Sequence, residues 1–436
     1  MRALLAAALL AAATLAHAAT ELVIATVDNG PMIEMQRLAR HFEQANPDIR
    51  LKWVTLDEGT LRKRVSEDIA QRGGAFDIMT IGLYETPIWG RRGWLRPLDP
   101  QAAYDAADLV PFIREGLSID GRLYAAPFYG ESSMLMFRRD LLAAAGLDMP
   151  NRPSWEHVRR VAERLHDPAR GVYGICLRGR PGWGDNMALV TTMVNSFGGQ
   201  WFDMAWQPRL DTEPWRRAIA LYVELLRRFG PPQPESLSFN ELQALFGAGR
   251  CALWLDATIG AAVITDPSRS SVARHVGFAQ APSGVTARGA NWLWAWSLAI
   301  PAGTRHPEAA RRFVLWATSK DYIALVAREA GWARVPTGTR QSTYANLDFL
   351  ATARAAAAEL QALHSADLKL PTLPPSPYTG IQFVAIPEFP AIGDAVGTLV
   401  AEALAGRRRL DAALAVAQQA TQRAMTGRNA NTSKTR

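Results

Sequence analysis

The chain has 436 residues, 48% of them hydrophobic, with a formal charge of +7. That length accommodates two α/β lobes at ~150 residues per domain. The positive excess lies from Arg407 onward, so the near-neutral body offers no basic field for nucleic acid.

In chain order, "MRALLAAALLAAATLAHAAT" sets Arg2 before an apolar run that ends in Ala16-His17-Ala18. This reads as a secretory signal over residues 1–18, removed near Ala18. The run is shorter than the ~20 residues of a spanning helix, and no Cys follows it to carry a lipid. An exported, periplasmic protein without membrane insertion is expected.

"ELVIATV", "IRLKWVTL" and "FDIMTIG" read as strands separated by helices, with Met32, Met35, Leu38, Ala39 and Phe42 at helical spacing in the first. The β-α-β-α-β rhythm argues for a parallel sheet with helices on its faces. A second such run starts near residue 134, with Ser154 capping a helix and "EPWRRAIALYVELLRRFG" strongly amphipathic. The fold class expected is α/β, two lobes, each a mostly parallel sheet flanked by helices, joined by crossings near 127–134 and 297–302. Lobe one takes residues 19–131 with a return segment at about 302–340. Lobe two takes 132–301 with C-terminal helices at about 341–425, and 426–436 form a frayed basic tail. Cys176 and Cys251 both sit in apolar strand-like segments; an exported protein permits a bond, and two buried thiols are an equal reading.

No nucleophile elbow, phosphate loop, dinucleotide fingerprint or zinc-protease motif is present. No Cys/His cluster has metal-ligand spacing, so neither metal nor cofactor is expected. A glycosidase needs only two placed carboxylates, and Glu85, Glu131 and Asp256 keep that alternative open. The distinctive pattern is a polar residue, an aromatic and a glycine at strand ends: "VDNGP", "IGLYETPIWG", "APFYGESSM", "LRGRPGWGDN", "WLDAT" and "GANWLW". In open α/β sheets such ends line the ligand crevice. Carboxylate, amide and guanidinium groups bind hydroxyls in pairs while indole faces cover C–H surfaces, a mixture suited to sugars and polyols. Each residue also has a plainer reading. Trp183 could be core, Asp256 a helix cap, Glu131 a hinge acceptor, and Arg178 the partner of a structural carboxylate. Trp292, Trp294 and Trp296 alternate on one strand face, and are expected to grade from ligand contact at Trp292 to core at Trp296.

Taken together, "DNGPMIEMQRLARHFEQANPDI", "LYAAPFYGESSM", "YGICLRGRPGWGDNM", "WLDAT", "GANWLWAWSLAIP" and "GWARVPTGTRQSTY" resemble a periplasmic solute-binding protein of an ABC transporter. The class shares its fold with the maltose-binding protein, and the likeness is greatest to the mannitol/sorbitol group. Two positions depart from that group: Pro31 follows Gly30, and Gly59 stands where an amide is expected. The resemblance implies a monomeric receptor that closes on a polyol or small sugar and docks membrane permease subunits, without catalysis. An oligosaccharide receptor is the alternative ligand class. The resulting ligand-binding set is Asn29, Tyr84, Glu85, Tyr129, Glu131, Arg178, Trp183, Asn186, Asp256, Trp292 and Trp332, with no catalytic residue and no nucleic-acid partner.

Overall fold

The computed structural model describes residues 19–286 and 291–432, with side chains to residue 426. The expected signal at 1–18 and the last four residues of the tail lie outside the described residues. The first lobe opens with β1 (Thr20–Val27), β2 (Ile49–Leu56) and β3 (Ile78–Ile81), alternating with α1 (Gly30–Ala45), α2 (Glu58–Ala70) and α3 (Glu85–Arg91). Local chemistry sets these boundaries. The Asn29 side chain accepts from Met32 N at the start of α1, and Pro31 occupies its first turn, where a missing N–H costs nothing. Asp57 caps α2 through Thr60 N at 3.0 Å.

A short hairpin, β4 (Ser118–Ile119) and β5 (Arg122–Leu123), precedes β6 (Ala125–Glu131) and β7 (Ser133–Arg138). The second lobe continues with β8 (Tyr173–Cys176), β9 (Cys251–Ala257) and β10 (Val276–Gln280), and β11 (Trp294–Ala299) is the last strand among the described residues. The two main sheets have the orders β2-β1-β3-β11-β6 and β10-β7-β9-β8.

Two expectations need correction. The sheets are mixed rather than mostly parallel: β11 is antiparallel to β3 and β6, and β7 is antiparallel to β9 and β10. The tryptophan strand, expected in lobe two, lies inside the lobe-one sheet, with Trp294 opposite Glu131 and Trp296 opposite Tyr129. Both differences have one cause. Strands native to a lobe run toward the cleft, whereas a strand arriving from the other lobe starts at the cleft and runs away from it. β7 and β11 are those arrivals, so each must pair in the opposite sense.

Helix Pro307–Ala317 packs on β1 and β6 of lobe one, and the helices Phe389–Leu404 and Leu410–Thr432 pack on lobe two. The last helix thus runs into the range expected to fray. A third crossing joins the lobes at Thr337–Gly338, where Gly130 N donates to Thr337 O at 2.8 Å. Gly338 has φ +74°, and a Cβ there would stand 2.1 Å from Gly130 O; only glycine permits the approach.

Of the two readings for the cysteines, the bond holds: Cys176 and Cys251 form a disulfide between neighbouring strands β8 and β9, with Cα atoms 6.0 Å apart. It closes a 75-residue separation, worth roughly 4 kcal/mol in the chain-entropy treatment. Replacing both cysteines by alanine is expected to lower the melting temperature in scanning calorimetry by several degrees. Reductant should lower only the wild type; an unmoved transition in both would show that the bond adds no stability.

Candidate ligand-binding site

The ends of β8 and β9 meet at a buried ion pair. Arg178 donates to Asp256 through Nη2 at 2.7 Å and through Nε at 3.0 and 3.1 Å, with Asp256 wholly buried. Asp256 also accepts from Ala257 N at 2.7 Å and from Trp254 Nε1 at 3.3 Å. Asp256 is therefore the structural partner of Arg178 rather than a cap of the following turn. Arg178 Nη1 donates to Gly184 O at 3.1 Å, and the Tyr222 hydroxyl donates to Arg178 O at 2.7 Å. The Trp292 ring stands 5.6 Å from the guanidinium carbon of Arg178. Its backbone is anchored by Ser132 Oγ, which donates to Trp292 O, and Ser133 Oγ, which accepts from Trp292 N.

A second guanidinium, which the sequence reading passed over, crosses from the first lobe. Arg62 on α2 pairs with Glu58 at 2.9 Å and with Glu85 at 2.8 Å. Its guanidinium carbon lies 4.2 Å from the Trp183 ring, 4.5 Å from Trp294 and 4.8 Å from Trp296. Such a cation against desolvated indoles is worth ~2 kcal/mol. The tryptophans do not grade from site to core as expected. All three are buried, and Trp294 and Trp296 wall the Arg62 pocket while Trp292 faces Arg178. The lobes touch closely here: a Cβ on Gly184 would stand 2.5 Å from Glu58 Oε1, so the Glu58 carboxylate would have to shift to admit one.

At the cleft mouth a cavity of about 440 Å³ is lined by Glu58, Arg62, Tyr84, Glu85, Trp183, Asp185 and Asp394, among others. Behind it stands Glu131, the last residue of β6, 7% exposed. Burial raises its carboxyl to about 8; Arg178 and Arg62 pull it down, and Glu58 and Asp256 push it up. Among the described residues no hydrogen bond reaches this carboxyl. Asp185 is raised to about 6, by burial first and against the pull of Arg178, and accepts from Ser238 Oγ. Asp28 is raised by burial first and by Asp57 and Glu241, against the lowering influence of its own backbone and of the Asn240 amide in the facing lobe.

The remaining expected residues separate into two groups. Asn29 and Tyr129 join directly, the amide donating to the phenol oxygen, beside Glu131 in sequence and charge. The Tyr84 ring packs on Trp183 at 5.0 Å while its hydroxyl donates to Ile386 O; Glu85 Oε2 accepts from Gly82 N as Oε1 holds Arg62. Asn186 has both amide atoms engaged by backbone, accepting from Gly182 N and donating to Gly397 O, so it shapes the Trp183 loop. Trp332 starts a short turn whose Arg334 pairs with Asp266 at 2.9 Å, and its half-buried ring packs on the core. Asp185, in the same Gly-rich loop as Trp183, lines the cavity where the sequence pattern pointed to its neighbour Asn186. Arg62 left one signal, a Glu58–Arg62 spacing of four in the helix after the second strand.

The family described as bacterial extracellular solute-binding protein matches residues 29–324. This chain belongs to that family. This solute-binding protein is 51% identical to the mannitol-binding protein of Pseudomonas aeruginosa, over 98% of each chain. It matches an ABC transporter solute-binding protein of Agrobacterium vitis S4 with bound D-mannitol at TM-score 0.93 and 52% identity, covering 94% of this chain and 99% of that one. A ribitol complex from Agrobacterium radiobacter K84 follows at TM-score 0.82 and 25% identity, covering 93% and 98%. The maltose-bound MalE3 of T. maritima, 19% identical with TM-score 0.79 over 93% and 99%, shares the fold. Among the described residues, no helix of the solute-binding protein is long and apolar enough to cross a membrane.

Two outcomes follow from the site's electrostatics. Asp256→Asn leaves a buried guanidinium without its anion, at a cost of about 3–5 kcal/mol, so the ligand-free protein should melt markedly lower. The paired change Arg178→Met with Asp256→Leu should restore most of that loss; a wild-type melting curve for Asp256→Asn would show that the pair carries no stability. The folded state holds the Glu131 proton up to about 8, whereas a glutamate in water loses it near 4.5. Between those values the native state binds more protons, so the Glu131 contribution is full at low pH and is lost as pH rises toward 8. Glu131→Gln should flatten the fall of melting temperature with pH, and curves of equal slope would contradict the assignment.

Proposed function

We propose that this protein is the periplasmic receptor of an ABC importer. It takes a linear sugar alcohol of the mannitol class between its lobes and presents the closed form to membrane permease subunits. It acts as a monomer and performs no chemical step. The likeness along nearly the whole chain to a mannitol-bound structure carries this reading. The disulfide fits an oxidising compartment.

The chemistry of the cleft supports the same class. A linear polyol offers hydroxyls on both sides of a carbon chain and a C–H surface between them. Glu131 and the Asn29–Tyr129 pair supply acceptors and donors, the Arg178–Asp256 pair fixes the wall behind them, and the Trp292 face covers C–H groups. Glu131 ends the strand at the first crossing, so a ligand held there and against lobe two ties both lobes together. Closure then follows from the ligand's greater affinity for the closed form.

Titration calorimetry with D-mannitol, D-glucitol, D-arabitol, ribitol and maltose tests the reading. At least one alditol should bind with micromolar or tighter affinity, and at a hundredfold excess over its Kd should add ~2.7 kcal/mol of apparent stability. Binding of maltose alone would move the protein to the oligosaccharide class. Silence with all five would sink the proposal.

A further inference from the structure

The polyol reading leaves one feature of the cleft unexplained: where its charge goes. Arg178 is committed to Asp256 through Nε and Nη2, and its Nη1 is held by Gly184 O. Arg62 is shared by two carboxylates, Glu58 and Glu85. Every guanidinium that Glu131 feels is thus already matched or overmatched by other acids. Glu131 itself, more than nine-tenths buried and facing this cluster from the lobe crossing, has no counter-ion and no hydrogen bond from the described residues. The mouth repeats the imbalance, with Asp28 beside Asp57 and Glu241. The aromatic surfaces already hold cations: Arg62 against Trp183, Trp294 and Trp296, and Arg178 near Trp292.

What such a site lacks is one positive charge that is not a guanidinium of the protein. Carboxylates converging beside indole faces are the surroundings in which an ammonium group is bound. A carboxylate on the ligand would instead meet Glu131 across a short gap in a low-dielectric site, with both arginines engaged elsewhere.

We propose that this cleft also receives cationic aminopolyols, linear polyols in which an amine replaces a hydroxyl, with Glu131 as the ammonium counter-ion, and that it rejects the corresponding aldonates. The inference rests on the polyol reading and names a second ligand class for the same site. Neutral polyols meet Glu131 as a protonated carboxyl, able to donate to one hydroxyl and accept from another. An ammonium requires the carboxylate, so its binding releases the Glu131 proton to solvent. The charged and titratable groups facing Glu131 are Arg178 and Asp256 from lobe two, Glu58 and Arg62 from α2, and Tyr129 on its own strand. The guanidiniums are salt-bridged throughout; of the cleft carboxyls raised by burial, Asp185 is pushed up to about 6 and Glu131 to about 8, so Glu131 is the one whose charge changes between pH 7 and 8.5. Amine affinity should therefore rise as pH rises toward 8, while polyol affinity stays nearly flat.

The experiment is calorimetry on the full-length mature protein with D-mannitol, 1-amino-1-deoxy-D-mannitol and D-mannonate between pH 6 and 8.5. The ratio of amine to mannitol affinity should rise by up to ~tenfold per pH unit below 8 and then level. At pH 8 the amine should bind at least a hundredfold tighter than mannonate. Buffers of different ionisation enthalpy should report about one proton released per amine bound at pH 7. In Glu131→Gln the amine-to-mannitol ratio should lose its pH dependence; the wild-type profile and proton count decide the matter even if that variant does not fold. A pH-independent ratio in the wild type, or amine and mannonate equally weak beside a tight mannitol, would overturn the inference and leave the polyol reading standing. Failure of mannitol and every other neutral alditol to bind would remove the polyol reading, and this inference with it.

Discussion

The Arg178–Asp256 pair is the interaction on which the rest of the cleft depends. Both ions are withdrawn from water, a loss that their mutual attraction offsets only when geometry is good and remaining donors are satisfied. The structure meets these conditions by locking what surrounds the pair. The Cys176–Cys251 bond clamps β8 and β9 two and five residues before the ions, Tyr222 holds the Arg178 carbonyl, and Trp254 and Ala257 fill the other acceptor sites of Asp256. A ligand-binding wall built this way is rigid before anything binds, which lowers the ordering cost of recognition.

A second constraint is the way the chain passes between lobes. Each sheet contains one strand that starts at the cleft, β7 in the second lobe and β11 in the first, and this reversal places Glu131 and the tryptophans at the junction. The third crossing presses Gly338 onto Gly130, so the backbone at the hinge has no side chains to obstruct it. Arg62 then spans the gap, salt-bridged within lobe one and stacked on Trp183 of lobe two. Lobe-to-lobe attraction is thus partly intrinsic, and a ligand needs to supply only the remainder of the bias toward the closed form.

Much of this was legible in the linear chain because it depends on local spacing. The periodicity of Met32, Met35, Leu38 and Phe42 marks a helix face, and Asn29 and Asp57 mark helix starts by their capping chemistry. Arg178, Asp256 and Trp292 were recognisable because each stands at the end of an apolar strand in a segment that mixes polar residues with aromatics or glycine. What spacing does not carry is pairing. Asp256 reads equally well as a cap until Arg178, 78 residues earlier, is seen beside it. Glu85, Tyr84 and Asn186 read as free hydrogen-bonding groups until the backbone atoms that engage them are known.

The amino-acid sequence by itself determined the α/β alternation, the two-lobe organisation, the aromatic and polar strand ends, and the family resemblance, because these follow from local pattern. Tertiary structure alone decided that the tryptophan strand belongs to the first lobe and that Trp294 and Trp296 enclose Arg62. It also decided that Glu131 has no hydrogen-bond partner among the described residues, whereas Asp256 is held by Arg178. The physical reason is the same throughout. Strand direction and ion pairing are set by which distant segments share a sheet or a cleft, and a residue's charge has meaning only once its neighbours and its distance from water are known.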